Sequence, residues 1–251
     1  MRTVLCAGVI AGLVGVATAG PILINESAVG SVTLTLNPGP MGGSVFRAPA
    51  PLFSDSALGS VHADLAGDGI NTNDIITILA ADTDDGTGLF ALLDEELGGS
   101  GTPDARANVV VVAHDAGGSG ITGWVNDDGL ELAQTANANP VASTFRFDTT
   151  FEWSSNGTGD AMALSRLDPG DSGTLVFNAV PGASLFGVSR GFQFVSFENG
   201  QWGVVGGGTF NGPVSHPTST SLDWRVVPSP ATGLVGLVAL GATARRRRPG
   251  A

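Results

Sequence analysis

The middle of the chain is a succession of short apolar or alternating runs, each bounded by glycine, aspartate, asparagine or proline. Short runs rich in valine, isoleucine, phenylalanine and threonine between turn residues are typical of strands. About ten such runs predict an all-β fold, either an antiparallel β-sandwich or a jelly roll. The runs are 31–36, 74–79, 89–93, 108–112, 121–125, 143–153, 174–177, 192–197, 202–205 and 222–227. Only 160–167 has a pattern that also suits a short helix.

The charged residues exclude several classes of function. All 11 basic residues are arginine, and against 23 acids they leave a net charge of −12. An acidic surface repels nucleic acid and anionic lipid headgroups, so no nucleic-acid partner is expected. The absence of lysine excludes a phosphate-loop lysine and Schiff-base chemistry. Mutational bias toward G and C would also deplete lysine, so part of the composition has a non-functional explanation.

The only cysteine, Cys6, lies in an apolar N-terminal run. Once that run is removed, the chain has no disulfide, no thiol nucleophile and no cysteine zinc ligand. The fold must therefore be held by core packing and strand pairing alone.

The N-terminus is predicted to be a secretory signal peptide covering residues 1–19. Arg2 precedes an apolar stretch at 4–16, and the triplet Ala17-Thr18-Ala19 then precedes Gly20. A positive start, an apolar stretch of about a dozen residues and an A-x-A site are the features of such a leader. The alternative, a buried core helix, does not account for the A-x-A site.

The C-terminus predicts a short apolar helix followed by a cationic stop. Residues 231–244 are mostly alanine, leucine, glycine and valine, and Arg245, Arg246, Arg247 and Arg248 follow them. Such a helix would be about 21 Å long, which is short against a hydrocarbon core of roughly 30 Å. The arginines would stay cytoplasmic and leave the body outside. This suits a processing signal better than a permanent anchor, which is the alternative.

The segment before this helix reads Val227-Pro228-Ser229-Pro230. A proline motif, a brief apolar helix and an arginine cluster resemble the PEP-CTERM sorting signal, whose motif usually has glutamate where this chain has Ser229. The resemblance covers roughly the last 25 residues. It implies recognition by an exosortase-type membrane enzyme and delivery to the cell surface or its extracellular polysaccharide. The chain is thus divided into a leader (1–19), a body (20–225) and a sorting tail (226–251).

Residues 187–191 match the G-x-S-x-G pattern of a hydrolase nucleophile elbow around Ser189. That elbow needs a strand, a sharp turn and then a helix. The residues that follow, 192–197, alternate like a strand. With His216 downstream the match keeps a hydrolase open only as a minor alternative.

Residues 64–74 resemble the calcium loop of dockerin modules and EF-hands, with Asp64, Asp68 and Asp74 as weak ligand candidates. Ala66 supplies no oxygen and Asp74 comes one residue early, so a plain turn is favoured. The acidic turns at 82–86 and 126–129 either bind a cation loosely or close hairpins. Apart from this possible structural calcium, no cofactor is expected.

The remaining candidate residues are histidines and tryptophans. His62, His114 and His216 are too widely spaced for a familiar metal motif. The tryptophans either fill the core or form a sugar-stacking platform; they are Trp124, Trp153, Trp202 and Trp224. We expect a non-enzymatic exported protein with a structural or adhesive role, membrane-associated during sorting and then at the surface. The alternatives are a carbohydrate-binding module and a secreted hydrolase.

We expect the exported chain to begin at Gly20, because cleavage follows Ala19 in the A-x-A site. N-terminal sequencing or mass spectrometry of the exported protein measures this directly. An exported form that still carries Cys6 would contradict it.

Overall fold

Thirteen strands and one helix make up the described part of the chain, so the all-β prediction is confirmed. The structure is a computed structural model that describes residues 19–26, 30–36, 55–73, 75–83, 85–93, 105–126, 137–139, 144–153, 160–179, 191–209 and 220–229. The strands are β1 (Ala19–Glu26), β2 (Gly30–Leu34), β3 (Ile76–Thr83), β4 (Gly86–Leu93), β5 (Ala105–His114), β6 (Thr122–Asn126), β7 (Asn137–Asn139), β8 (Thr144–Trp153), β9 (Asp160–Ser165), β10 (Ser172–Ala179), β11 (Gly191–Glu198), β12 (Gln201–Thr209) and β13 (Thr220–Pro228). The helix is α1 (Asp55–Gly67).

The strands form two sheets. One has seven strands in the order β2-β1-β13-β10-β5-β8-β7, and the other has six in the order β12-β11-β3-β4-β9-β6. One pair departs from the antiparallel arrangement that the sequence predicts, because β11 runs parallel to β3. A parallel pair needs a long crossover, and here β3 and β11 are more than a hundred residues apart in the chain.

A single cluster of buried side chains draws on both sheets. Ile22, Ile24, Leu222 and Trp224 come from the seven-stranded sheet. The six-stranded sheet contributes alternate residues of its central strands, Ile76, Ile78, Leu89, Leu93, Met162, Leu164, Phe192 and Phe194. The alternation along each strand sends every second side chain into this shared layer.

The opposite face of the six-stranded sheet is also buried, because α1 packs on it. Val61 and Leu65 of the helix join Leu79, Phe90 and Val195 in a second cluster. A strand buried on both faces reads as a continuous apolar run. This explains why β3 and β4 lack the polar alternation of a strand with one solvated face.

The helix ends in a Schellman cap. The amide of Ile70 donates to the carbonyl of Leu65 at 3.0 Å, and the amide of Gly69 donates to that of Ala66 at 2.9 Å. Gly69 has a positive φ of 80°, the left-handed conformation that this cap requires and that glycine adopts without strain. The Asp68-Gly69 pair therefore closes a helix.

All ten predicted runs form strands, and the structure adds β1, β7, β9 and α1. The helical alternative for 160–167 is wrong, since Asp160–Ser165 is a strand buried on both faces. Such a strand has no alternation to distinguish it from a helix. The last strand runs through Pro228, so the folded unit extends past residue 225.

The predicted signal helix and the apolar helix at 231–244 lie outside the described residues. Among the residues that are described, no helix is both long and apolar enough to cross a membrane.

His62 is a buried polar residue of α1, 5% exposed. Its Nδ1 lies 3.0 Å from the hydroxyl of Thr72, and its Nε2 has no partner among the described residues. Burial lowers the pKa of His62 from 6.5 to about 4, because the imidazolium would lose its hydration.

We expect the described fold to lose stability as the pH falls from 6.5 toward 4. The unfolded chain binds a proton at His62 over this range and the folded chain does not, so acid favours unfolding. The lowered pKa corresponds to a loss of about 3 kcal/mol across that window. Denaturant unfolding at several pH values measures it.

A comparison between two variants isolates the contribution of His62. His62→Leu should flatten the dependence between pH 6.5 and 4, whereas His114→Leu, at an exposed residue, should retain it. Equal slopes in the two variants would show that His62 is not the source.

The junction of the first and last strands as a candidate functional site

The two predicted processing signals meet at the pairing of β1 with β13. These strands run antiparallel, with Ile22 opposite Val226 and Ala19 opposite Pro228. Ala19 is the last residue of the predicted leader, and Pro228 belongs to the proline motif. The fold therefore places the end of the predicted leader beside the proline motif of the predicted tail.

Gly20 is buried against the backbone of the motif. The register of β1 shifts between Ala19 and Ile22, so β1 carries one residue more than β13 across this interval. A Cβ at position 20 would overlap the carbonyl oxygen of Val227 and lie 2.7 Å from the amide nitrogen of Ser229. Backbone atoms cannot move aside as a flexible side chain can, so only glycine permits this approach.

The opposite edge of β13 is held at Val226, one residue before the motif. The amide of Val226 donates to the carbonyl of Asp171 at 2.8 Å, and the amide of Gly170 donates to the carbonyl of Val226 at 3.1 Å. The Val226 side chain is in the core between the sheets, 2% exposed. Val226 is thus fixed by β1, by the 168–171 turn and by the core.

The Asp171 carboxylate organises the turn that holds Val226. It is fully buried and accepts three backbone amides, from Ala116 at 2.7 Å, Gly117 at 3.0 Å and Asp168 at 2.7 Å. Hydrogen bonds to an ionised acceptor are among the stronger ones in proteins. The carboxylate of Asp171 thus joins the loop after β5 to the turn before β10. The backbone carbonyl of the same residue accepts the amide of Val226 in β13.

The loop after β5 is closed by a second aspartate. Asp115 accepts the amides of Gly118 at 2.5 Å and Gly120 at 2.9 Å. Ser119 in turn donates to the carboxylate of Asp168. The acidic residues of this corner therefore accept hydrogen bonds from the chain itself.

The described residues of the proline motif are partly or fully exposed. The Val227 side chain is partly buried, that of Pro228 is exposed and that of Ser229 is partly buried. Ala17, Pro230 and Arg245–Arg248 lie outside the described residues. The part of the motif that is described is an extended segment attached to a folded sheet.

The three calcium candidates are not brought together as loop ligands. Asp64 lies exposed on α1, and the carboxylate of Asp68 accepts the amide of Trp202 at 2.7 Å. Asp74 lies outside the described residues. Within the described ranges no three His, Cys, Asp or Glu side chains are grouped closely enough to hold a metal ion.

The acidic turn at 82–86 closes the β3–β4 hairpin, with Thr83 opposite Gly86. Asp85 accepts the hydroxyl of Ser165 at 2.7 Å and forms an ion pair with Arg166 at 2.9 Å. Asp82 accepts the hydroxyl of Thr87 at 3.1 Å. Of the two readings of the 82–86 segment, a loose cation site or a hairpin turn, the structure shows the hairpin turn. In the second acidic turn, 126–129, only Asn126 is described.

The nucleophile-elbow match is followed by a strand, since Gly191 begins β11. An α/β-hydrolase elbow requires a helix after the serine, and this chain has the strand β11 there. Ser189 and His216 themselves lie outside the described residues.

Two of the four tryptophans are core residues. Trp224 is 2% exposed between the sheets, and Trp202 is 3% exposed, with its ring edge-to-face against Phe197 at 5.2 Å. They cannot stack on a sugar. Trp124 and Trp153 lie in β6 and β8, but their side chains are outside the described set.

The sequence patterns did not reveal Gly20 or Asp171 as parts of this junction. The Gly20-Pro21 pair after the leader is a signal for a bulge at the start of a strand. The run Asp168-Pro169-Gly170-Asp171 is a strong turn signal. Neither pattern indicates that its partner is the last strand.

No family model, curated protein or solved structure matches this chain.

We expect Asp171→Asn to destabilise the fold by about 2–4 kcal/mol. An amide has one acceptor oxygen and an NH2 group, so at least one of the three amides would lose its acceptor inside the protein. Denaturant unfolding measures the change. Asp223→Asn is the control: this exposed carboxylate accepts one hydroxyl, from Thr174 at 2.8 Å, which an amide oxygen can also accept. A loss for Asp171→Asn no larger than the control's would contradict the role given to Asp171.

Proposed function

We propose that this chain is an exported protein with a structural or adhesive role at the cell surface or in its polysaccharide matrix, delivered through its C-terminal sorting signal. One observation carries the proposal. β1 pairs with β13, with Ala19 opposite Pro228, so the described fold joins the predicted cleavage site of the leader to the proline motif of the tail.

In this proposal the body is a β-sandwich. Its two sheets share one apolar layer, and α1 covers the outer face of the six-stranded sheet. A signal helix precedes the body until export, and a short apolar helix follows it. This arrangement accounts for stability without cysteine in an exported setting.

The outer face of the seven-stranded sheet supports contact with a hydrated matrix. Strand registers place one row of residues side by side across five strands, and most of them have short polar side chains. The row runs Ser31, Asn25, Asp223, Thr174 and Val112, and continues on β8 as Arg146. Hydroxyl and amide groups in one row on a sheet face suit hydrogen bonding to a polyhydroxylated polymer such as an extracellular polysaccharide.

Sorting follows from the physical character of the tail. Four adjacent arginines are costly to carry across a bilayer, so they halt translocation. Fourteen small apolar residues barely span the hydrocarbon core, which leaves the helix weakly held. Pro228 and Pro230 keep the preceding segment from joining that helix. An exosortase-type membrane enzyme would act on this extended segment.

Replacing Arg245, Arg246, Arg247 and Arg248 by serine should release the protein into the medium with its tail intact, because nothing then halts translocation. Fractionation of the native host, with mass spectrometry of each fraction, measures this.

Exchanging Pro228 and Pro230 for alanine should have the opposite effect and trap full-length protein in the membrane, because the motif is lost and the helix can extend upstream. If the wild-type protein keeps residues 231–251 at the surface, processing does not occur and the tail is a plain membrane anchor.

A further inference from the structure

We propose that the folded body sets the upstream limit of tail removal: the bond that is cut lies after Ser229, and Gly20 is the positioning residue that enforces this limit. The inference rests on the proposed function, in which the tail is removed. It adds that the first strand shields the start of the motif, so that motif and body are not independent modules.

The shield follows from the contacts of Gly20. A Cβ at this position would lie 2.9 Å from the Pro228 carbonyl carbon and 2.7 Å from the Ser229 nitrogen, besides overlapping the Val227 carbonyl oxygen. These atoms belong to the Val227–Pro228 and Pro228–Ser229 peptide bonds. Both bonds therefore have the backbone of β1 directly against them.

The bond before them is protected as well. Val226 is paired with Ile22 of β1, and on its other edge it exchanges hydrogen bonds with Gly170 and Asp171. Enzymes that cleave or transfer a peptide commonly bind it as an added strand, which requires a free backbone edge. Val226 has neither edge free, and its side chain is buried between the sheets.

The first bonds beyond the contacts of Gly20 are Ser229–Pro230 and those that follow. The pairing of β1 with β13 ends at Pro228, so a sorting enzyme that cuts after Ser229 leaves this pairing in place. To cut earlier, it would have to lift the end of β13 away from β1 and withdraw Val226 from the core.

Gly20 directly follows the predicted leader. Cleavage after Ala19 would remove the pairing of Ala19 with Pro228 and leave Gly20 in the chain. In the exported and folded chain, cleavage of the tail is therefore limited to the bonds after Ser229.

The test compares two glycine-to-alanine variants with the wild-type chain. Gly20→Ala places a methyl group on the backbone of the motif. Gly207→Ala is matched to it: its Cβ would lie 2.6 Å from the carbonyl oxygen of Phe192 in the other sheet, so it strains a strand far from the motif. Both proteins are first checked for an N-terminus at residue 20.

In the native host, C-terminal peptide mass spectrometry of the surface protein gives the last residue. We expect Ser229 or a later residue in wild type and in Gly207→Ala, and additional forms that end at Pro228 or Val227 in Gly20→Ala. A wild-type C-terminus at Pro228 or earlier would overturn the shield while leaving sorting intact. Equal shortening in both variants would also overturn it, because loss of stability alone would then explain the shift.

In vitro, the exported full chain is digested with proteinase K, and cleavage of the Val226–Val227 bond is followed by mass spectrometry. We expect at least a tenfold faster cleavage in Gly20→Ala than in wild type or Gly207→Ala. Equal rates in the three proteins would refute the role of Gly20. If the host keeps residues 231–251, the proposed processing fails, and this digestion still decides whether β1 shields the motif.

Discussion

The apolar layer shared by the two sheets is the constraint on which the rest of the structure depends. No cysteine follows residue 6, so burial and pairing alone set the position of every strand. A slip of one residue in a strand with one solvated face, such as β2 or β13, would turn its buried side chains to solvent. Both ends of the body take part: β1 contributes Ile22 and Ile24, and β13 contributes Leu222, Trp224 and Val226. The core therefore also determines where the chain leaves the sheet.

The strands could be predicted from the sequence where the pattern is local. Residues 31–36 alternate because one face of β2 is in the core, and 89–93 are uniformly apolar because β4 is buried on both faces. β9 has no such pattern, because it is buried on both faces like β4. Among the described side chains of α1, those that are buried are Val61, His62 and Leu65. β1 was missed because it begins where the leader ends, and the leader accounts for the apolar residues on that side.

The candidate site was predictable only in part. The proline motif can be read directly, but the need for glycine at position 20 arises from the carbonyl of Val227, far away in the chain. Asp171 has its role because the loop after β5 and the turn before β10 converge on it. The calcium candidate at 64–74 illustrates the opposite case. An Asp-Gly pair suits a metal loop and a helix C-cap equally, and only the upstream residues, by forming α1, decide between them.

Pro228 connects the physics of the sheet with the predicted tail. β13 lies between β1 and β10, and a proline has no amide to donate to a neighbouring strand. Pro228 is the last residue of β13. The same residue opens the prolines of the motif, so the end of the sheet and the start of the sorting signal coincide at one position. A body whose last strand ended earlier would present the motif on a free linker. Here it emerges from a sheet that is held on one side by Gly20 and on the other by the turn of Asp171.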